Sequence, residues 1–422
     1  MKTTFASRLT LVFSKLYSYR NMNAEIVCIV LIGMVSIFGV TGCGMKPYSY
    51  KPLITIPTYE KLGVKPVINC ADYVTRLGGS IERPEVKMAM EEASKHFVPM
   101  NELIEAVGRR LGELTGAEFG CVSSGCAACM TAATCACVAG DDPEKIAMLP
   151  YTEGMKNECI VAKNHRSGYD RAIRIVGVTM VEIETVKEME AAINEKTAMI
   201  FVLGRSLDGE RGPSIPLKEF VRIGKKYGVP VFVDASAERF DYPNSYIKTG
   251  VDLVAYSGGK HLEGPQCTGI LLGRKDLIQA AIKNMAPNMG FGRPMKVGKE
   301  EIMGVLAAAE LWSKRDHDKE WKEMERMLQY IADQLKDIPS IVTEIVPPQG
   351  RSNHYPRLLI NWDENIVRIT PAEVRKQLHD GEPSIDCPGN TVIPPTMRTG
   401  EEIFVGKRFR EILSVALYIK SK

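Results

Sequence analysis

The sequence predicts an α/β protein in which a mostly parallel, doubly wound sheet is followed by a smaller α+β domain. From Val67 onward, short apolar runs alternate with amphipathic segments at a spacing typical of strand–helix–strand units. The run "VPVFVDAS" is apolar almost throughout, as expected of a strand inside such a sheet. After about residue 300 the alternation gives way to a long helical region, which indicates a second domain.

The elements of the sheet domain are predicted in a regular order. Leu, Ile and Val at helical spacing in "AMEEASKHFVPMNELIEAVGRRLGELTG" predict two helices that end at Gly116. A short strand or loop at "GCVSS" then leads into a helix of small residues from about Gly125 to Ala139. An amphipathic helix is predicted over 217–228, and strands over 158–163, 178–184, 198–203, 229–236, 251–259 and 267–273.

The C-terminal part has a different pattern. One long helical region is predicted from Glu300 to Ile338, and a single long helix there would link the two domains. Strands at "SIVTEIV" and "RLLINW", a helix at "TPAEVRKQLHDG" and a final helix at "EEIFVGKRFREILSVALYI" complete a smaller α+β domain.

The predicted domain plan has four segments. Residues 1–45 form a signal, lipoprotein-like or membrane-anchor segment, and residues 46–66 a linker or N-terminal arm. Residues 67–305 form the large domain, and residues 306–422 the linking helix and the small domain.

The first segment resembles an export signal. Basic residues precede the apolar run Ile26–Val40, which is shorter than the ~20 residues of a membrane span. "VTGC" then resembles a lipoprotein cleavage box with Cys43 as the lipidated residue. A short transmembrane anchor and an extension from a misassigned start codon are the alternatives. We therefore expect a membrane-anchored or exported protein, with a cytoplasmic enzyme as the alternative.

The net charge and the cysteine content of the chain limit the kinds of function that we expect. The net charge of +3, from 54 basic and 51 acidic residues, gives no electrostatic reason to expect nucleic acid as a partner. Five of the eleven cysteines lie in "CVSSGCAACMTAATCAC", which contains one CxxC. A zinc site needs about four ligands and no second CxxC exists, so no metal is expected. Small buried helix residues are the favoured interpretation, one that suits a reducing compartment.

Three motifs suggest a common chemistry. Lys260 follows two glycines in "YSGGKHLEGPQCTGILLG", and a lysine amine with a lowered pKa is a nucleophile toward aldehydes. Asp234 ends the strand "VPVFVD", where ligands of open α/β sheets bind. "SSGCAA" opens a helix of small residues, and the free N–H groups there suit a phosphate. An amine, a partner for a pyridine nitrogen and a phosphate cradle together predict pyridoxal 5′-phosphate as the cofactor.

From about Val67 to its C-terminus the chain resembles the fold-type I pyridoxal phosphate enzymes related to L-seryl-tRNA(Sec) selenium transferase. Within that group it looks most similar to the D-glucosaminate-6-phosphate ammonia-lyase-like branch. The stretches that carry the resemblance are "PVINCADYVTRLGGS", "ELTGAEFGCVSSGCAA", "VPVFVDASAE", "GVDLVAYSGGKHLEGPQCTGILLGRKDLI" and "GRPMKVGKEEIMG". The resemblance implies a mainly parallel, seven-stranded large domain, a small C-terminal domain and a homodimer or larger homo-oligomer.

The resemblance also assigns roles to residues. Lys260 would be the lysine that carries the cofactor, and Asp234 would pair with the pyridine nitrogen. The remaining cofactor-binding candidates are Ser124, Gly125 and Cys126 for the phosphate, Ser257 from the lysine loop, and Ser236 and His165 for the two ring faces. The candidates for binding a substrate carboxylate or phosphate are Thr75, Arg76, Arg293 and Lys296.

The function expected on these grounds is that of a lyase acting on an amino acid or amino sugar acid. Lys260 would abstract the α-proton, a β-substituent would leave, and the products would be a 2-keto acid and ammonia. The enzymatic alternatives are β-replacement like that of L-seryl-tRNA(Sec) selenium transferase, transamination and racemisation. The chain lacks a clear basic N-terminal module for tRNA, which argues against the first of these. The non-enzymatic alternative is an anchored binding protein that keeps a degenerate form of the fold.

Overall fold

The computed structural model describes residues 53–208, 212 and 214–417. Contacts divide the chain into Met1–Val64 and Lys65–Lys422. In the first unit, the described residues Leu53–Val64 contain one turn of 3₁₀ helix, Glu60–Leu62. The predicted signal or anchor segment lies outside the described residues. Within the described ranges, no helix combines the length and apolar character that a membrane crossing needs.

The second unit contains the strands and α-helices. The strands are β1 (Val67–Asn69), β2 (Phe119–Ser123), β3 (Glu158–Ala162), β4 (Thr179–Ile183), β5 (Thr197–Leu203), β6 (Val231–Asp234), β7 (Leu253–Ser257), β8 (Gly269–Gly273), β9 (Val342–Val346), β10 (Arg357–Asn361), β11 (Ser384–Asp386) and β12 (Thr391–Val392). The helices are α1 (Pro84–Ser94), α2 (Met100–Thr115), α3 (Cys126–Val138), α4 (Pro143–Met148), α5 (Arg171–Arg174), α6 (Val186–Ala192), α7 (Leu217–Tyr227), α8 (Ser245–Thr249), α9 (Lys275–Asn284), α10 (Lys299–Trp312), α11 (His317–Asp333), α12 (Pro371–Asp380) and α13 (Glu401–Leu417).

A seven-stranded sheet forms the centre of this unit and confirms the predicted fold class. Its strand order is β2-β8-β7-β6-β5-β3-β4. Strand β8 runs antiparallel to both of its neighbours, and the remaining pairs are parallel. The carboxyl ends of the parallel strands therefore meet at one edge, where a ligand site is expected.

Both faces of the sheet are covered by helices, as the apolar strands require. Along β5, Met199 and Phe201 pack into one hydrophobic core, whereas Ile200 and Val202 pack into the other. This alternation follows from the two-residue period of a strand. Helix α7 covers one face with Phe220, and α3 covers the opposite face.

Helix α3 is buried along most of its length because its residues are small. Its cysteines at 126, 129 and 135 are buried among alanines and are free thiols. Burial is the main cause that raises the pKa of each of these thiols, so they stay protonated at neutral pH. The prediction of small packed residues is confirmed. Among the described residues, no group of His, Cys, Asp and Glu side chains could hold a metal ion.

The C-terminal part has its own hydrophobic core, formed by α11, α12 and α13 against a sheet of order β12-β10-β9. Strand β1 pairs in parallel with β11, so residues near both ends of this unit form a second small sheet. The division at residue 305 stays a prediction, because the contacts place Lys65–Lys422 in one unit.

The prediction of a single long linking helix is wrong. The structure has two helices, α10 and α11, separated by Ser313–Asp316. The side chain of Asp316 accepts a hydrogen bond from the Lys319 N–H at 3.0 Å and so caps the start of α11. The Arg315 side chain turns away to the loop that carries Lys260, where it donates to the His261 carbonyl at 2.8 Å.

Candidate active site

Strand register brings the predicted phosphate loop and lysine loop together. Gly269, the first residue of β8, pairs with Ser123 at the end of β2 and with Ser257 at the end of β7. Ser123 precedes the loop that opens α3, and Ser257 precedes the glycines before Lys260. On the other side of β7, Ala255 pairs with Asp234, the last residue of β6. Three predicted site segments therefore leave one edge of the sheet on neighbouring strands.

The loop before α3 is shaped for close approach of its backbone. Gly125 has φ 95° and ψ 162°, a conformation that glycine adopts without strain. A Cβ atom on Gly269 would lie 2.4 Å from the Gly125 carbonyl carbon and 2.6 Å from the Cys126 nitrogen. Only glycine at 269 lets this loop lie on the start of β8. The hydroxyl of Ser123 is buried beside the loop and has no hydrogen-bond partner among the described residues.

Asp234 is buried, with 4% of its surface exposed, and is held through one oxygen. Its Oδ1 accepts the Ser236 N–H at 2.9 Å and lies 3.6 Å from the Cys126 thiol, which donates to it. Burial and then the Asp234 charge raise the pKa of the Cys126 thiol, so the thiol keeps its proton. Among the described residues Oδ2 has no hydrogen-bond partner, which leaves it available to a ligand.

The lysine loop is fixed by its backbone. The Gly258 N–H donates to the Thr268 carbonyl at 2.8 Å, and the Glu263 N–H donates to the Lys260 carbonyl at 2.9 Å. A Cβ on Gly259 would lie 2.4 Å from the Gln266 Cα, so this part of the turn has no room for a side chain. The half-buried Lys260 amine has no hydrogen bond or ion pair within the described part of the chain.

A network of ion pairs between side chains also fixes the lysine loop. The Glu263 carboxylate, three residues after Lys260, pairs with Arg83 and with Arg315, each at 2.8 Å. Glu320 pairs with the same two arginines at 2.7 and 2.9 Å. Together with the Arg315 bond to the His261 carbonyl, these contacts join the loop to the starts of α1 and α11.

His165 lies deeper than the predicted stacking role requires. Its ring has no exposed surface and packs against Phe220, with 5.6 Å between ring centroids. Nδ1 accepts the Leu203 N–H at 3.2 Å, and Nε2 lies 3.2 Å from the Ser214 hydroxyl. A stacking role stays a prediction and, in this arrangement, needs the ring to leave its pocket.

The predicted substrate-binding residues occupy two separate places. The Thr75 carbonyl accepts the Gln266 side-chain amide at 3.1 Å, so its segment lies against the lysine loop. Arg76 is paired through both of its terminal nitrogens with Asp386, with one bond of 2.7 Å. Half-buried Arg293 and exposed Lys296 follow α9, and no described hydrogen bond or ion pair joins their side chains to the lysine loop.

Comparison with known proteins identifies the family. The Aminotransferase class-V family matches residues 151–356. The 5′-C-glycyluridine monooxygenase-decarboxylase of Streptomyces sp. is 34% identical over 339 residues, which span 78% of this chain and 83% of that protein. The D-glucosaminate-6-phosphate ammonia lyase of Salmonella typhimurium is 30% identical over 376 residues, 84% of this chain and 97% of that protein.

A solved structure of D-glucosaminate-6-phosphate ammonia-lyase matches with a TM-score of 0.75 at 29% identity, over 86% of this chain and 100% of that chain. L-seryl-tRNA(Sec) selenium transferase of Aquifex aeolicus is 28% identical over 51% of this chain and 52% of that protein. The chain belongs to this group of fold-type I pyridoxal phosphate enzymes. Its cofactor is pyridoxal 5′-phosphate, and it is an enzyme.

The residues of this pyridoxal phosphate enzyme fit its cofactor. The backbone of Ser124, Gly125 and Cys126 at the start of α3 would hold the phosphate, and the unpartnered Ser123 hydroxyl offers a further donor. The free Oδ2 of Asp234 suits a protonated ring nitrogen, and the free amine of Lys260 suits the aldehyde. Ser236 and Ser257 are both half-buried. Ser236 lies two residues after Asp234, and Ser257 precedes the lysine turn.

Sequence reasoning did not single out two residues that lie at these loops, Ser123 and Arg315, although Ser123 begins the quoted motif "SSGCAA". Ser123 lies next to a predicted residue, and its place at the end of a strand was a usable signal. Arg315 carries no local signal, because it reaches the lysine loop from an element distant in sequence. Its position depends on tertiary packing alone.

Proposed function

We propose that the enzyme is a lyase that removes a β-hydroxyl from a small α-amino acid or amino sugar acid and releases ammonia. The supporting observation is the free Lys260 amine beside strand ends that carry Asp234 and the phosphate loop. A relative of 30% identity that is an ammonia lyase, matched over 97% of its length, supports this reaction class.

Pyridoxal phosphate, when bound, would supply the electron sink that makes the α-proton of an amino acid acidic. Asp234, held by Ser236 and Cys126, would pair with the ring nitrogen and favour its protonated form. Lys260 accepts the α-proton at Nζ as the general base. It then returns this proton to the departing β-hydroxyl, which leaves as water.

The products follow from this elimination. Loss of the β-hydroxyl leaves an enamine, which tautomerises to an imine. Water hydrolyses the imine to a 2-keto acid and ammonia, so the water lost in the first step equals the water consumed in the last. The overall reaction therefore needs no oxidant or reductant.

One second candidate is supported by a specific observation. The relative that is 34% identical is a monooxygenase-decarboxylase, so the same deprotonated amino acid could instead react with oxygen and lose carbon dioxide. Selenium transfer to seryl-tRNA has less support, because the net charge is only +3 and the matched transferase is covered over 52% of its length.

The test is an assay of the purified protein, saturated with pyridoxal phosphate, against a panel of β-hydroxy and polyhydroxy α-amino acids. Ammonia and 2-keto acid in equal amounts, without oxygen uptake, are expected. Oxygen consumption with carbon dioxide release would favour the second candidate instead. Lys260→Ala is expected to lower turnover at least about a hundredfold, whereas the exposed control Lys248→Ala keeps it.

A further inference from the structure

The first residue of α3, Cys126, lies between the two segments that would bind opposite ends of the cofactor. Its N–H is one of the free N–H groups at the helix start, where the phosphate would bind. Its thiol donates a hydrogen bond to Oδ1 of Asp234, which ends β6 and would face the ring nitrogen. One residue therefore belongs to the first segment through its backbone and contacts the second through its side chain.

The position of the Cys126 side chain is fixed by the packing around it. The residue is 8% exposed and lies in the same hydrophobic core as Cys129. The Cys129 N–H donates to the Gly125 carbonyl at 3.1 Å, which closes the first turn of the helix. The Cys126 nitrogen lies against the start of β8, where a Cβ atom on Gly269 would approach it to 2.6 Å. The thiol therefore has little freedom to move away from Asp234.

The two described hydrogen bonds to the Asp234 carboxylate have different origins. The Ser236 N–H, at 2.9 Å, belongs to the turn that directly follows Asp234 and moves with it. The Cys126 thiol, at 3.6 Å, comes from a helix 108 positions away in the chain. Two donors on one oxygen restrict the rotation of a carboxylate more than one donor does. The thiol is thus the contact that ties this carboxylate to the rest of the large domain.

The thiol keeps the proton that this contact needs. Burial first, and then the negative charge of Asp234, raise the pKa of Cys126 well above its usual value. The positive charge of Lys260 acts in the opposite direction and is outweighed. A protonated thiol is a donor, so the hydrogen bond to Oδ1 persists at neutral pH.

A redox role does not suit the CxxC that Cys126 forms with Cys129. Both are buried free thiols, and burial is the main cause that raises the pKa of each. The thiolate is the form that reacts in disulfide exchange, so these two side chains are unreactive in the folded chain. The hydrogen bond to Asp234 is therefore the chemistry left to the Cys126 thiol.

We propose that Cys126 is a positioning residue, whose thiol holds the Asp234 carboxylate so that Oδ2 pairs with the ring nitrogen of the cofactor. It acts through Asp234. The same residue helps to bind the phosphate with its backbone, so that correct seating of the helix start also sets the partner of the ring. This role rests on the contacts proposed for Asp234 and for the start of α3, and it does not depend on the lyase reaction.

The test compares two cofactor probes that differ at the ring nitrogen alone. One is pyridoxal 5′-phosphate, and the other is 1-deazapyridoxal 5′-phosphate, in which a C–H group replaces that nitrogen. The full chain, freed of cofactor, is titrated with each probe by fluorescence. The wild type should bind the deaza probe about tenfold or more weakly, because a hydrogen bond between charged groups is lost.

Variants at Cys126 then show whether the thiol acts through the ring nitrogen. Cys126→Ala should weaken binding of pyridoxal phosphate about fivefold, as loss of one hydrogen bond predicts, but that of the deaza probe less than about twofold. Cys126→Val fills the space of the thiol without a donor and should behave in the same way. Cys126→Ser keeps a donor and should restore part of the affinity. Cys135→Ala, which removes another buried thiol of α3, is the control and should change neither affinity.

The outcomes separate positioning of the carboxylate from simple packing. A melting profile establishes that each variant is folded. Equal weakening of both probes in Cys126→Ala would mean that the thiol only shapes the phosphate loop, and would overturn the proposal. Unchanged binding of pyridoxal phosphate in folded Cys126→Ala and Cys126→Val, or equal binding of the two probes by the wild type, would also overturn it. No substrate is present, so a failed ammonia assay leaves this result standing.

Discussion

The Cys126 thiol donates a hydrogen bond to Asp234 Oδ1, with 3.6 Å between Sγ and the oxygen. Cys126 is the first residue of α3, and Asp234 ends β6. The bond therefore joins the segment proposed to hold the cofactor phosphate to the carboxylate proposed to face the ring nitrogen. Because the two described hydrogen bonds to this carboxylate both go to Oδ1, Oδ2 would be available to the ring nitrogen.

The thiol can donate only while it is protonated, which gives a first prediction. Burial raises the pKa of Cys126 well above its usual value, so a thiol reagent at pH 8 should not modify it in the folded enzyme. Exposed Cys267 should react first among the described cysteines, and mass mapping of the labelled peptides reads out both sites. Cys267→Ser is the matched control. Labelling of Cys126 as fast as Cys267 would contradict the packed arrangement of α3.

A second prediction concerns Gly269. In Gly269→Ala the new methyl group would lie 2.4 Å from the Gly125 carbonyl carbon, so the phosphate loop must shift. The dissociation constant for pyridoxal phosphate, measured by fluorescence titration, should rise about fivefold or more, since a strained contact of this kind costs about 1–3 kcal/mol. Gly168→Ala is the control, because nothing lies within 4 Å of its added Cβ. Equal affinities in the two variants would argue against a phosphate site at this loop.

A third prediction concerns the ion network around the lysine loop. Glu263→Ala leaves Arg83 and Arg315 short of one partner, and breaking such a partly buried cluster destabilises by about 3 kcal/mol. Urea unfolding should show this loss together with weaker cofactor retention. Glu184→Ala breaks the exposed pair with Lys163 and should cost less than about 1 kcal/mol. A Glu263 variant no less stable than the Glu184 variant would refute a supporting role of the network.

A fourth prediction concerns pH. The pKa of His261 is about 3 in the folded chain and about 6.5 when unfolded, so between these values the unfolded state binds more protons. The free energy of unfolding should be unaffected by this group above about pH 6.5 and should fall as the pH drops toward 3. Glu320 adds a similar loss at lower pH: burial opposes ionisation, but bonds from His317 and Arg315 hold its pKa at about 2.

Comparison of the wild type with His261→Phe isolates the histidine. Between pH 6.5 and 5 the wild type should lose stability more steeply than the variant, as measured by urea unfolding at each pH. The other histidines are common to both proteins, so their contributions cancel. Parallel curves over this range would show that His261 is not buried as a neutral ring.

Local sequence signals predicted much of the large sheet and singled out the two residues that we propose as central to the site. Lys260 follows two glycines, and Asp234 ends an apolar run that predicts a strand. Both signals can be read from a short stretch of sequence. The pairing of β1 with β11 was not predicted, because each strand has only three residues and the two are separated by most of the sequence. The break between α10 and α11 was missed for a similar reason, since Arg315 leaves the helical path to bond the distant His261 carbonyl.

Three other predictions are not tested by the described residues of a single chain. A homodimer, the division into two domains and a membrane anchor within residues 1–45 stay predictions. The pairing of Arg76 with Asp386 became visible only in the folded chain.

The central claim is that Lys260 carries the cofactor, and borohydride reduction of the purified enzyme tests it most directly. We expect a visible absorption band that collapses on reduction, with a pyridoxyl group mapped by mass spectrometry to Lys260 and absent in Lys260→Ala. The absence of any band after incubation with pyridoxal phosphate, or a pyridoxyl group on a different lysine, would contradict the claim.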